Sequence, residues 1–303
     1  APFPPFPHPS REPKPMTTFV SSLPHNCPIL GDNATAYDAD RLFTTPPLST
    51  LTYKGRERRN YSAVPFGAVP FCTPFPDAWR IPRREWPDLI EYKQKQKARM
   101  ADLVIRSQPY IGSLNQGSTN YCWGNAVVTC LELLRELNNL PYIKLSSASV
   151  CAPIKNFRNN GGWGEEALAY IIEHGIAPAS LWPANAIDRS YDNEQTRLAR
   201  QAFKISEFWD LPPNDFEALA SALLHGKPCA IGLDWWGHEV AALDLVMVDG
   251  GGFGVLCRNS WGDSYGDGRG LFVLTERKAI PDDCSAPAVT TGTPALAAPA
   301  LAA

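Results

Sequence analysis

Apolar residues in the middle of the chain recur with the period of an α-helix. The run AVVTCLELLREL, which follows Cys122, predicts a buried helix that ends before Pro141. A second helix is predicted over residues 163–174, where apolar residues share one face and Gly175 closes the helix. Residues 214–225 predict a third helix, because an Asn or Asp stands where its start needs a cap.

After this third helix the period changes to that of β-strands. Apolar stretches separated by glycine-containing turns predict strands over residues 229–233, 239–248, 254–258 and 271–274. Helices followed by strands are the order of an α+β fold with two halves. We therefore place a helical half at residues 106–200 and a strand-rich half at residues 201–283.

The flanks of these two halves differ in composition. Residues 1–84 hold much of the proline but also carry Phe, Tyr, Leu and Val, which predicts an extended arm lying on a surface of this chain or of a neighbour. Residues 85–105 predict a linker helix with Pro87 at its first position. Residues 284–303, rich in Ala, Pro and Thr, predict a flexible tail.

Composition and charge narrow the function only a little. Of the 303 residues, 44% are apolar and 19% are charged, and the net charge is −3, which is ordinary for a globular protein. This balance favours neither nucleic acid nor a membrane as a partner, and no apolar run is long enough to span a bilayer. The start of the chain lacks the basic and apolar regions of a secretory signal, so we expect none in this form.

Cysteine usage argues against a metal centre. The eight cysteines are spaced irregularly, with no CxxC pair and no paired histidines. A zinc site is therefore not expected. Most of these cysteines are interpreted as reduced residues of the core, because a free cysteine packs as a small apolar side chain.

Two short motifs, far apart in sequence, carry complementary chemistry. The first runs from Gln116 to Cys122 and Trp123, directly before the predicted buried helix. The second consists of His238 and the sequence NSWG at residues 259–262. A cysteine, a histidine, an asparagine and an upstream glutamine are the parts of a thiol nucleophile, its base, the group that orients the base and an oxyanion donor.

Each of these side chains has an expected role. Cys122 starts a helix, where partial positive charge and free N–H groups favour a thiolate, and protonated His238 would favour it further. Asn259 is expected to orient the imidazole, and Trp261 to shield their hydrogen bond from water. The Gln116 amide and the Cys122 backbone N–H are expected to point at a developing oxyanion. The other histidines lie in the arm or at helix ends: His8, His25, His174 and His225.

The motifs resemble those of the papain-like cysteine peptidases. Residues 116–123 match the family's Q-G-S-x-x-x-C-W, residues 259–262 match N-S-W-G and its glycine-rich continuation follows, and residues 160–162 match N-G-G. The resemblance covers about residues 102–280. It implies an α+β, papain-like fold, in which a cleft lies between a helical half that carries the cysteine and a β-barrel half that carries the histidine and asparagine.

The resemblance also implies which residues line the cleft. Gly161 and Gly162 would supply its backbone floor, and Trp163 and Trp236 are assigned to its walls. Trp123 and Trp261 would support the reacting groups. Glu239 follows the histidine, so it would either favour a basic side chain at the second residue before the cut or obstruct that pocket.

Two functions remain open at this point. The resemblance implies a cysteine endopeptidase or related thiol hydrolase that acts on peptides or proteins through a thioester, without metal or organic cofactor. The alternative is a papain-like structural or interaction module of a larger assembly, such as a virus or phage particle, with or without residual activity. In that case the proline-rich arm would bind other copies or assembly partners, and cytoplasmic synthesis would be followed by incorporation into a virion. The arm could equally fold back over its own cleft as an inhibitory segment.

Overall fold

The computed structural model describes residues 27–44, 54–107 and 110–288. The predictions for residues 1–26, for residues 45–53 and for the tail from residue 289 onward lie outside the described residues. The helices are α1 (Ala36–Ala39), α2 (Trp86–Lys95), α3 (Met100–Arg106), α4 (Cys122–Leu137), α5 (Ala148–Ile154), α6 (Gly164–His174), α7 (Glu194–Arg200) and α8 (Phe216–Leu224). The strands are β1 (Ile29–Leu30), β2 (Cys72–Pro74), β3 (Phe208–Leu211), β4 (Cys229–Leu233), β5 (His238–Val248), β6 (Gly252–Arg258), β7 (Leu271–Thr275) and β8 (Asp283–Pro287).

The strands form one eight-stranded sheet in the order β1-β7-β6-β5-β4-β8-β3-β2. Neighbours from β7 to β3 pair antiparallel, whereas β1 and β2 add to the two edges in parallel. The central strand β5 begins at His238 and pairs with β4 on one side and β6 on the other. A residue at the start of β5 is therefore held by hydrogen-bonded backbone on a rigid element.

Helix α4 lies between the helical half and the sheet, which explains why its residues from Cys122 to Arg135 are buried on every side. It packs against β4 and β5 on one flank and against α5 and α6 on the other. Close approach to α5 requires Gly124, because a Cβ at that position would overlap the Cys151 sulfur. The α+β class is confirmed, with helices α4, α6 and α8 at the predicted places.

The segment interpreted as an arm lies on the chain itself where the structure describes it. Its strands β1 and β2 form the two edges of the sheet. Between them, Phe43 packs edge-on against Tyr265, with ring centroids 5.3 Å apart. The Tyr265 hydroxyl donates a 2.7 Å hydrogen bond to the carbonyl oxygen of Ala39 at the end of α1. This segment is therefore built into the sheet and its core.

Two predicted boundaries need correction. The single linker helix is two helices, because the backbone turns left-handed at Lys97 and the carboxylate of Asp244 accepts hydrogen bonds from the N–H groups of Met100 and Ala101 at the start of α3. The predicted tail begins too early, because residues 284–287 belong to the buried strand β8. This strand is short and rich in small residues, and pairing with β3 and β4 on both sides buries it.

Helix α4 also buries a carboxyl group whose ionisation should set part of the pH dependence of stability. Burial raises the pKa of Glu132 to about 7. The hydrogen bond that its Oε1 accepts from the N–H of Leu145 lowers the pKa, but by less than burial raises it. A group whose pKa is raised in the folded state contributes stability that is present below its unfolded pKa and is lost as pH rises through the folded value. For Glu132 that window runs from about 4.5 to about 7.

We expect Glu132→Gln to match wild type in free energy of unfolding near pH 4.5 and to exceed it above pH 7 by up to about 3 kcal/mol. The amide keeps an acceptor for the Leu145 N–H and cannot ionise. Urea unfolding at pH 4.5, 7 and 8.5 would measure the difference, with Glu136→Gln on the same helix as the matched control. A difference between variant and wild type that does not change with pH would show that Glu132 stays charged in the core.

Candidate active site

Cys122 is the first residue of α4, and its side chain is inaccessible to solvent. Tyr121 is the last residue with non-helical backbone angles, and the long apolar run that the sequence shows begins directly after the cysteine. The backbone of Glu239, the residue after His238, contacts the Cys122 thiol from the sheet side. The two halves thus bring the cysteine of α4 against the start of β5.

His238 is fixed by the residues around its ring. Its Nε2 lies 2.8 Å from Oδ1 of Asn259, and the same oxygen accepts the backbone N–H of Ser260 at 2.7 Å. Because that oxygen can only accept, Nε2 carries the proton and Nδ1 keeps its lone pair. The ring of Trp261 stacks on the imidazole at 4.6 Å between centroids, and Trp236 packs edge-on at 4.7 Å.

The other imidazole nitrogen is left available. His238 Nδ1 is buried and has no hydrogen-bond partner among the described residues. A buried basic nitrogen without a partner is unfavourable in a purely structural role. The lone pair on Nδ1 is therefore available to accept a proton from a group that moves within reach of it.

Gln116 is oriented by bonds at both ends of its amide. Its Oε1 accepts from the Ser260 hydroxyl at 2.8 Å, which fixes the NH₂ group on the opposite side. Nε2 then donates to the carbonyl oxygens of Thr119 at 2.8 Å and Lys54 at 3.1 Å. The Gln116 amide therefore binds a backbone carbonyl that comes from a distant part of the chain.

The carbonyl of Lys54 belongs to a segment that was not expected at this place. Residues 54–58, named the strap here, cross the site along the backbone of the two predicted floor glycines. The Gly162 N–H donates to the Gly55 carbonyl at 2.9 Å, and the Glu57 N–H donates to the Gly162 carbonyl at 2.8 Å. Arg56 and Gly162 form a parallel bridge. The strap is thus bound as a short strand, and the carbonyl oxygen of its first residue, Lys54, accepts a hydrogen bond from the Gln116 amide.

Glycine is required where the strap meets the site. A Cβ on Gly55 would overlap the backbone carbonyl of Asn120, and Gly55 has a φ of +108°. A Cβ on Gly161 would overlap the Gly55 carbonyl, and one on Gly162 would overlap the Trp123 ring. Because these three glycines have no side chains, the strap can pack closely against the loop before Cys122 and against residues 161–162.

The remaining predicted residues are distributed around this core. Trp123 donates its indole N–H to the Asn120 carbonyl at 3.1 Å, so it supports the loop before the cysteine. Trp236 contacts His238 but gives its own N–H to Asp40. Trp163 lies under the guanidinium of Arg59, 5.5 Å from the ring centroid. Glu239 is buried, with its carboxylate on the side of Arg56.

Burial decides the charge state of the two reacting groups in this arrangement. It raises the pKa of the Cys122 thiol and lowers the pKa of His238 to about 4, despite the bond to Asn259. At neutral pH the pair is therefore an uncharged thiol and an uncharged imidazole. Burial thus opposes the thiolate expected from the sequence, which the partial positive charge of the helix N-terminus favours.

Sequence reasoning missed the strap, although a signal for it was present. The sequence Lys-Gly-Arg-Glu-Arg-Arg at residues 54–59 is a dense basic run within an otherwise proline-rich and apolar segment. A glycine in the middle of such a run marks close backbone approach. Nothing local in the sequence indicates which carboxylates the arginines meet.

The cysteine at the start of α4 thus lies in the helical part, whereas the histidine starts β5 and the asparagine directly follows β6. Residues 105–245 match the family model described as papain family cysteine protease. Within this span, which is somewhat less than half of the chain, the sequence is similar to the papain-like cysteine peptidase family. Asn259 and Trp261 lie beyond the matched residues.

Relatives and solved structures agree with this placement. The chain is 26% identical to cathepsin S of Bos taurus in an alignment 216 residues long, with coverage of 62% of this chain and 64% of that protein. It is 27% identical to the oryzain beta chain of Oryza sativa subsp. japonica in an alignment 176 residues long, with coverage of 50% of this chain and 37% of that protein. The chain thus spans less than two thirds of the length of these curated relatives.

Among solved structures, digestive procathepsin L 3 from the larval midgut of Tenebrio molitor superimposes with a TM-score of 0.51 at 21% identity, over 59% of this chain and 66% of that one. Procathepsin L2 from the same source gives a TM-score of 0.52 at 19% identity, over 63% and 67%. These structures share the fold. None of the helices in the described ranges is long and apolar enough to cross a membrane.

Proposed function

We propose that this chain is a papain-like cysteine endopeptidase whose active groups are Cys122, His238, Asn259 and Gln116. The observation that carries the proposal is the state of His238, whose Nε2 is held by Asn259 while Nδ1 is unpartnered among the described residues, beside the start of α4. The Gln116 amide adds a second observation, because it already binds a peptide carbonyl at this place.

The reaction proposed is hydrolysis of a peptide bond in two steps. The Cys122 sulfur bonds to the carbonyl carbon as the thiol proton passes to His238 Nδ1, and the Gln116 amide and the Cys122 N–H stabilise the oxyanion. His238 then donates that proton to the leaving nitrogen as the C–N bond breaks, which leaves a thioester. A water molecule attacks the thioester with His238 as base, the C–S bond breaks, and the proton returns to the thiol.

With the strap bound across the site, the described structure is a closed state of the proposed enzyme, in which a substrate cannot reach the site. A substrate needs the Gln116 amide and the Gly162 backbone, and residues 54–57 use both. Opening the strap also admits water, which lowers the cost of forming the thiolate and the imidazolium. Of the two roles left open for the N-terminal segment, contact with its own cleft is the one favoured by these bonds. Assembly through the predicted arm, residues 1–84, and incorporation into a particle stay predictions.

The test is hydrolysis of a peptide library by the full chain carrying Gly55→Ala, a change intended to displace the strap. We expect hydrolysis by this variant and, when Cys122→Ala is added, a loss on the order of 10³-fold or more. An epoxide electrophile selective for activated thiols should modify Cys122 in the first variant, as located by mass spectrometry. Hydrolysis that survives Cys122→Ala would refute the assignment of the nucleophile.

A further inference from the structure

The side chain of Arg56 in the strap fills a buried acidic pocket. Its guanidinium is only 2% exposed and forms ion pairs with Asp234 through one terminal nitrogen and with Asp283 through the other. Asp234 follows β4 and Asp283 starts β8, so the sheet holds both carboxylates in place. Two carboxylates that approach different nitrogens match the planar fork of a guanidinium and not the single point charge of an ammonium.

The wall of this pocket is shaped for a large flat group. Gly232 lies in β4, and a Cβ there would overlap both Nε of Arg56 and Oδ1 of Asp283. Glycine in the interior of a strand weakens the sheet unless something must approach closely. Here the guanidinium is what approaches.

A third carboxylate lies behind the first two without a hydrogen bond. Glu239 is 1% exposed, and neither of its carboxylate oxygens has a hydrogen-bond partner among the described residues. Burial, together with the charges of Asp283 and Glu165, raises the pKa of Glu239. Arg58 also pairs with the outer side of Asp234, but its own side chain is 77% exposed. Among the described residues, the Glu239 carboxylate and Nε of Arg56 are both buried without a hydrogen-bond partner, so the charges of these two groups interact without a direct bond.

The pocket lies at a defined distance along the strap from the reacting groups. Arg56 is the residue whose backbone pairs with Gly162, and the carbonyl of Lys54, two residues away, is bound by Gln116. A side chain that enters this pocket therefore belongs to a peptide whose neighbouring carbonyl reaches the Gln116 amide.

We propose that this pocket is a substrate subsite that selects arginine, and that Arg56 occupies it as an internal stand-in for a substrate side chain. The proposal rests on the peptidase function proposed above and names its substrate class as peptides with arginine at the residue paired with Gly162. An apolar side chain would leave the buried carboxylate of Asp283 without a cation, which is strongly unfavourable, and would remove the inner partner of the partly exposed Asp234. Lysine would satisfy one carboxylate and leave the other unpaired.

The experiment measures binding, so it does not depend on catalysis. In the full chain, Arg56→Ala empties the pocket, Gly55→Ala is added to displace the strap backbone, and Cys122→Ala prevents turnover. The probe is a fluorescein-labelled peptide with the sequence of residues 53–57, compared with the same peptide carrying citrulline, the uncharged isostere, in place of arginine. Fluorescence anisotropy should show at least tenfold tighter binding of the arginine peptide.

Adding Asp283→Asn should abolish the preference for arginine over citrulline, whereas Asp249→Asn, at an exposed position, should leave it intact. Equal binding of the two peptides, or no binding of either, would overturn the proposal. The comparison of two peptides on one protein keeps the test valid if the Asp283 variant folds poorly.

Hydrolysis then separates this proposal from the peptidase function. Cleavage by the Gly55→Ala chain that is indifferent to arginine at this position would refute the subsite and leave the peptidase standing. An arginine preference in binding, combined with failure of that chain to cleave any peptide, would refute the peptidase and leave the pocket as an arginine-binding site.

Discussion

Replacing Gly55 with alanine is expected to raise the rate at which iodoacetamide modifies Cys122 by about tenfold to a hundredfold. The added methyl group would overlap the carbonyl oxygen of Asn120, and backbone cannot move aside as a flexible side chain can. The φ of +108° at this position is a further penalty for any residue with a Cβ. Overpacking costs roughly 1–3 kcal/mol. A free-energy change of this size raises the population of the open strap, and with it the labelling rate of Cys122, by about tenfold to a hundredfold.

The measurement is mass spectrometry of the peptide that contains Cys122, because the chain has eight cysteines. Gly250→Ala is the matched control, since Gly250 has a φ of +86° but no described heavy atom within 4 Å of the place that an alanine methyl group would take. It should carry similar backbone strain without displacing the strap. If Gly55→Ala unfolds at the wild-type temperature and its Cys122 reacts at the wild-type rate, the strap does not protect the thiol.

The second large effect is expected from His238→Ala in the chain that carries Gly55→Ala. Loss of the imidazole removes the base that takes the thiol proton, so peptide hydrolysis should fall on the order of 10³-fold or more. The pH profile of iodoacetamide labelling separates this chemical role from a structural one. With His238 present and the strap open, the rate should rise with an apparent pKa below the ordinary thiol value of about 8.5.

Without His238, the rise in labelling rate should move to or above that ordinary value, because no imidazolium stabilises the thiolate. His174→Ala, at the exposed end of α6, serves as the control and should leave both hydrolysis and the labelling profile unchanged. A His238→Ala chain that keeps the low apparent pKa would assign the activation of Cys122 to some other group.

The sequence located the residues of the candidate site because each is marked by its neighbours. Cys122 precedes a long apolar helix, and Asn259 ends a strand within a motif that includes Trp261. These local patterns locate a side chain on an element, and the papain-like fold then brings the elements together. The structure places His238 within hydrogen-bonding distance of Asn259, 21 residues away, as the motifs indicate.

The strap could not be located by the same reasoning, because its contacts are not local. Arg56 meets Asp234 and Asp283, which are 178 and 227 residues further along the chain. The thiolate prediction did not take such distant contacts into account. It considered the helix start and the histidine, but the burial that raises the pKa of Cys122 comes from the packing of distant segments around it. Strand β8 was missed because its burial comes from pairing on both sides, which small residues do not signal.

The two parallel edge strands have a consequence for how the strap competes with other peptides. Strand β1 anchors the chain before the strap and β2 anchors it afterwards, at opposite edges of the sheet. A segment tethered at both ends acts on its site at an effective concentration that is commonly on the order of millimolar. A peptide present in solution at micromolar concentration would therefore rarely displace the strap of the wild-type chain. A single cut inside the strap would leave each new end tethered by its own strand, so rebinding of either piece would persist at reduced effective concentration.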